Sequence, residues 1–119
     1  MIGLGLVAAI AALHLYIMML EIVLWEAPRT RKIFGITAEL AAQTRVLAAN
    51  QGLYNGFLAA GFIWAIYLGM PGEGHDTALF FLACVAVAGA FGAATVGIRI
   101  LFVQTIPALV AGAAVVMGV

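Results

Sequence analysis

The sequence predicts an all-α fold, an integral membrane four-helix bundle in which a single transmembrane domain spans residues 1–119. Apolar residues make up 66% of the chain and charged residues 8%, against roughly 25% charged residues in a typical soluble domain. Successive apolar runs are long enough to cross a bilayer, and most charged residues lie between them. Together these observations exclude a separate soluble domain.

The predicted transmembrane helices cover approximately residues 2–25, 46–69, 78–98 and 101–119. The first run has no basic start and no cleavage site, so it is predicted to be a helix and not a signal peptide. A loop is predicted around Pro28, because a proline and several charges interrupt the apolar pattern. Residues 37–45 are a candidate for a short interfacial helix leading into helix two. Met70 to Thr77 forms a polar hairpin.

The last part of the chain must fold back once. As one helix, the segment from Ala78 to Val119 would reach ~63 Å, about twice the hydrocarbon thickness. The reversal is therefore expected close to Arg99. Pro107 falls inside helix four, where a kink is expected because proline lacks a backbone N–H.

Basic residues predict the orientation. All five lie in or beside the first and third loops: Arg29, Arg31, Lys32, Arg45 and Arg99. The positive-inside rule then places both termini outside the cytoplasm. This bias argues against a dual-topology dimer of the small multidrug transporter type.

Glu21 is the strongest candidate for a functional residue, because an ionisable side chain within a membrane segment is costly. His14 lies two turns earlier on the same helical stripe. Counted from the inner boundary, Glu21 shares a level with Asn50 and Gln51, and His14 shares a deeper level with Asn55. We predict one polar network that opens inward, with a cytoplasmic rim. Its residues are His14, Glu21, Asn50, Gln51, Tyr54 and Asn55, and Arg45 and Arg99 form the rim.

Simple helix packing is the alternative explanation for these polar residues. Amides in membrane helices contribute about 0.6 kcal/mol each on average when they bond between helices. Small residues also repeat at every fourth position: Gly52, Gly56 and Ala60; Gly89, Ala93 and Gly97; Ala108 and Gly112. Such seams predict a homo-oligomer or docking against another membrane protein, although tight packing within one bundle would use them equally well.

Two stretches support a family comparison: His14-Leu-Tyr-Ile-Met-Met-Leu-Glu21, and Asn50-Gln51-Gly52-Leu53-Tyr54-Asn55-Gly56. With these the chain resembles the DUF1304 family of small bacterial integral membrane proteins, over nearly its whole length. The resemblance implies four transmembrane helices in the bacterial inner (plasma) membrane and no known chemistry. A weaker likeness to the MAPEG membrane enzymes would place Arg45 and Asn55 near that group's site, but its helix-two glutamate is missing.

Three functions stay open: binding or transport of a lipophilic small molecule with Glu21 and His14 as a proton-linked pair, a membrane-embedded enzyme, or an accessory subunit of a larger complex. In the enzyme, Glu21 or His14 would act as general acid or base, and Arg45 or Arg99 would hold an anionic cosubstrate.

We predict no metal and no cofactor, because one intramembrane histidine and one intramembrane carboxylate are too few for haem or di-iron. Cys84 is expected to act as a small hydrophobe. The lipid bilayer is the expected surrounding of the protein, and no nucleic-acid partner is indicated.

Overall fold

The computed structural model describes residues 1–119, and its regular structure is entirely helical, which confirms the predicted all-α class. The α-helices are α1 (Ile2–Ile22), α2 (Pro28–Phe34), α3 (Ala38–Gln43), α4 (Arg45–Leu68), α5 (His75–Thr95) and α6 (Ile106–Met117). Three spans are long and apolar enough to cross a membrane: Ile2–Ile22, Arg45–Glu73 and His75–Thr95. Leu101–Met117 is a shorter apolar helix.

The prediction of a loop after helix one is wrong in one respect, because this segment contains helix α2. Pro28 occupies the first turn of α2, where its fixed φ suits a helix and its missing N–H has no intrahelical acceptor to lose. Gly35 ends the helix in the left-handed conformation (φ 67°), and its N–H donates to Arg31 O. The proline therefore starts a helix here.

A capped helix occupies the segment for which a short lead-in was expected. Thr37 is its N-cap, and its Oγ1 accepts a hydrogen bond from the Leu40 N–H at 3.1 Å. This bond satisfies one of the amides that every helix start leaves unpaired. Helix α3 is followed after a single residue, Thr44, by α4.

The chain divides into two compact units. The terminal unit comprises Met1–Ala11 and Ala60–Val119, and the central unit comprises Ala12–Ala59. Helices α1 and α4 each contribute one part to each unit.

In the terminal unit, α5 approaches Thr105, the N-cap residue of α6, through a glycine. Gly89 faces Thr105 so closely that a Cβ there would collide with the threonine hydroxyl. That hydroxyl donates to Ala86 O at 3.0 Å. The first residue of α1 also lies in this unit beside the end of the chain, where the Ile2 N–H donates to Val119 O at 2.7 Å.

The terminal unit also contains two irregular connections. Met70, Pro71 and Gly72 have non-helical backbone angles and join α4 to α5. Between α5 and α6, a π-helical turn covers Leu101–Thr105, and the Ile106 N–H donates to Leu101 O. This turn ends two residues before Pro107, consistent with the backbone disturbance that a proline causes.

The central unit contains the second part of α1, helices α2 and α3, and the first part of α4. Its buried apolar residues are Leu20, Ala41, Ala48 and Ala59, and its buried polar residues are His14, Glu21 and Thr30. All predicted site residues except Arg99 belong to this unit.

Candidate functional site

Glu21 lies in the last turn of α1, and its residue surface is only 9% exposed. The helix extends this far because the run from Ile2 is apolar and free of glycine or proline in its last three turns. Glu21 takes part in no ion pair: Arg45 pairs with Glu26, and His75 with Asp76. A buried carboxylate without a cationic partner is costly.

Asn55 of α4 supplies the one hydrogen bond that Glu21 receives within the chain. Its Nδ2 donates to Glu21 Oε1 at 2.6 Å. The same nitrogen also donates to Gln51 O, one turn earlier in its own helix, at 3.2 Å. The structure thus joins two of the six predicted network residues through their side chains.

Two glycines of α4 allow this close approach of α1. A Cβ on Gly52 would lie 2.7 Å from Ile22 Cγ1, 3.0 Å from Glu21 Cβ and 3.2 Å from Met18 O. A Cβ on Gly56 would lie 2.8 Å from Met18 Sδ. Because Met18 precedes Glu21 while Gly56 follows Gly52, the two segments run antiparallel. Met18 was not among the predicted site residues, although its place on the stripe between His14 and Glu21 could have indicated it.

His14 is fully buried in the central unit. It lies two turns before Glu21 on the same stripe of α1, as the spacing predicted. Its proposed role as the proton-linked partner of Glu21 stays a prediction.

Asn50, Gln51 and Tyr54 do not bond to the Glu21 side chain. Asn50 is exposed, and its Nδ2 donates to Val46 O in its own helix at 3.0 Å. Gln51 takes part in the pair only through its backbone oxygen. Tyr54 is 57% exposed. The side-chain network around Glu21 is therefore smaller than the sequence indicated.

The predicted rim residues belong to different units. Arg45 lies in the central unit and forms a long ion pair of 3.9 Å with Glu26, and both side chains are exposed. Arg99 lies in the terminal unit, just before the π-helical turn, and is exposed. Their joint action at one rim stays a prediction.

Trp25 anchors the segment that follows Glu21. Its Nε1 donates to Thr44 Oγ1 at 3.1 Å, and its ring meets Phe34 edge-on with centroids 4.9 Å apart. The Thr44 hydroxyl in turn donates to Leu40 O at 2.7 Å. Sequence reasoning missed this contact, since residues 25 and 44 meet only after α2 and α3 have folded.

The arrangement offers a buried carboxylate beside an amide, next to an apolar thioether, within a helix long enough to cross a membrane. The Glu21 carboxylate can accept hydrogen bonds from a ligand or form an ion pair with a cationic one. No group of three or more histidine, cysteine or carboxylate side chains in the chain is placed to hold a metal ion.

Comparison with known proteins gives a family and no chemistry. No curated protein and no solved structure matches the chain significantly. The family model described as "Protein of unknown function (DUF1304)" matches residues 8–116, which include the Glu21–Asn55 pair and both glycines of its helix contact. The chain therefore belongs to the DUF1304 family.

Proposed function

We propose that this protein binds or moves a lipophilic small molecule at the Glu21–Asn55 pair. The observation that carries the proposal is the buried Glu21 carboxylate, which has one hydrogen bond and no ion pair. Carboxylates in membrane segments are expensive and are found mainly where they serve a function.

A packing role alone explains the carboxylate poorly. The bond from Asn55 Nδ2 to Glu21 Oε1 requires only an acceptor oxygen, and a glutamine at position 21 would supply one without a buried charge. Two amides would therefore join α1 to α4 at a lower desolvation cost. The negative charge is useful only if a proton or a ligand interacts with it.

Native mass spectrometry of the protein from lipid nanodiscs tests this proposal. We expect the wild-type protein to retain a small molecule that the Glu21→Gln variant loses. Glu39→Gln is the matched control, since it makes the same chemical change on an exposed carboxylate of α3. An empty wild-type protein, or equal retention by Glu21→Gln, would contradict the proposal and favour a packing role in a larger complex.

The membrane arrangement that we propose with this function is a four-helix bundle in the bacterial inner membrane, with Leu101–Met117 as the fourth crossing and both termini extracytoplasmic. The contact between Ile2 and Val119 supports it, because the start of α1 and the end of α6 lie together in the terminal unit. Single cysteines at Arg29 and Glu73, in a Cys84→Ala background, would test it with a membrane-impermeant thiol reagent. Labelling from the periplasm is expected at position 73 only. Labelling at position 29 would show that the orientation is opposite to the one proposed.

Self-association also stays a proposal. Several predicted seam positions have partners within the chain: Gly52 and Gly56 face α1, and Gly89 faces Thr105. Gly97 and Gly112 have open space where a Cβ would point, which leaves these positions accessible to a second copy. The same mass spectra report the oligomeric state.

A further inference from the structure

We infer that the ligand of the Glu21–Asn55 pair is a lipophilic cation bearing N–H groups, such as a protonated primary amine on an alkyl chain. This inference rests on the proposed function and adds the chemical class of the ligand. It follows from how the hydrogen-bonding groups of the pair are already used.

The orientation of the Asn55 amide is fixed by its two neighbours. Its Nδ2 lies 2.6 Å from Glu21 Oε1 and 3.2 Å from Gln51 O. A carboxylate oxygen and a backbone carbonyl oxygen are both acceptors, so the opposite orientation would place Oδ1 against two other acceptors. The two hydrogens of the NH₂ group are therefore both used inside the chain.

The groups that remain are all acceptors. Asn55 Oδ1 and Glu21 Oε2 accept no hydrogen bond within the chain, and no N–H of either side chain is left to donate. Asn55 is half-buried, so part of its surface stays open to a ligand. A ligand that matches two acceptors must bring at least two donor hydrogens.

The unpaired charge of Glu21 narrows the chemical class of the ligand further. Glu21 has no cationic partner, and the arginine of α4, Arg45, pairs with Glu26. A ligand with a positive charge would complete a buried ion pair, and charge-assisted hydrogen bonds are about twice as strong as neutral ones. An anionic ligand would place like charges together, whereas an alcohol would offer one donor and no charge.

The neighbouring surface accounts for the lipophilic part. Met18 packs at Gly56 beside the pair, and its thioether is polarizable and apolar. The pair itself lies in helices whose composition suits the bilayer interior. A ligand with an alkyl chain can therefore enter from the lipid phase.

Four ten-carbon probes separate charge from hydrogen bonding: decylamine, decyltrimethylammonium, decanol and decanoate. Each would be titrated at neutral pH into ¹⁵N-labelled protein in nanodiscs, with the Asn55 side-chain amide as the NMR reporter. That signal is identified by its loss in Asn55→Ala. We expect decylamine to shift it in a saturable way, and to bind about tenfold or more tightly than each of the other three, the equivalent of one charge-assisted hydrogen bond.

Variants then link the effect to the carboxylate. Glu21→Gln should weaken decylamine binding about tenfold or more, and Glu39→Gln should leave it unchanged. The comparison of probes on the wild-type protein stands by itself if Glu21→Gln fails to fold.

Two results would overturn the inference. Equal binding of decyltrimethylammonium, decanol or decanoate at the Asn55 signal would show that the site binds ligands of another class, and the proposed function would survive. No saturable shift with any probe, together with an empty wild-type protein in mass spectrometry, would remove both the ligand class and the proposed function.

Discussion

Replacing Gly52 with alanine tests whether α1 and α4 are held together at the Glu21–Asn55 pair. The new Cβ would lie 2.7 Å from Ile22 Cγ1, 3.0 Å from Glu21 Cβ and 3.2 Å from Met18 O. The Ile22 side chain can rotate away. Glu21 Cβ and Met18 O are fixed by the backbone of α1, so the helices must move apart by several tenths of an ångström.

The size of the effect follows from two opposing terms. Overpacking of this kind costs about 1–3 kcal/mol. Alanine in place of glycine within a helix contributes about 1 kcal/mol in the opposite direction. We therefore expect Gly52→Ala to lower the free energy of unfolding by about 0–2 kcal/mol.

Gly5→Ala is the matched control, because Gly5 lies in α1 and a Cβ added there would have no atom within 4 Å. It should leave stability unchanged or raise it by up to ~1 kcal/mol. Unfolding in mixed micelles by a denaturing detergent, followed by circular dichroism, measures both variants. Equal stability of Gly52→Ala and Gly5→Ala would refute the close approach of the two helices.

Three further contacts lead to predictions. Asn55→Ala should destabilise the protein by about 1.5–3 kcal/mol because it removes a bond to a buried carboxylate, whereas Asn50→Ala, which loses only a bond to its own helix, should cost less than ~1 kcal/mol; equal losses in the same unfolding assay would contradict the pair. Trp25→Phe should cost about 0.5–1.5 kcal/mol in the wild-type protein and nothing further in a Thr44→Val protein, which already lacks their 3.1 Å bond as well as the Thr44 bond to Leu40 O; strict additivity would argue against this contact. Thr105→Val should lower the free energy of unfolding by about 0.6–1.7 kcal/mol through the lost bond to Ala86 O. An unchanged midpoint of the unfolding transition would show that this bond adds no stability.

Composition and apolar run length were sufficient to predict the helical fold and three of the four expected transmembrane helices, whereas the fourth expected helix is shorter, Leu101–Met117. The first loop shows where such reasoning is weak. Pro28 interrupts an apolar pattern, yet its position in the first turn, with Gly35 seven residues later, is the arrangement that starts and ends a short helix. A pattern of hydrophobicity does not distinguish a proline that breaks a helix from one that begins it.

The contacts around Glu21 were predicted in part, and the difference comes from side-chain direction. Counting the rise per residue placed Glu21 level with residues 50 and 51, and its Cβ does lie opposite Gly52. Its carboxylate nevertheless bonds to Asn55, which the count placed at a deeper level. The count followed backbone positions and left out where the side chains point.

Side chains on a helix lean toward its N-terminus. Along antiparallel segments the two leans are opposite, so Glu21 leans toward the level of His14 and Asn55 leans back toward Gln51. The two side chains converge between the levels, and a residue of α4 at the same backbone level as Glu21 leans away from it. Asn50 follows this rule as well: its amide lies back along its own helix and donates to Val46 O. The same lean brings Asn55 Nδ2 to Gln51 O and to Glu21 Oε1 together, and this double use of one NH₂ group is what leaves the pair with acceptors alone.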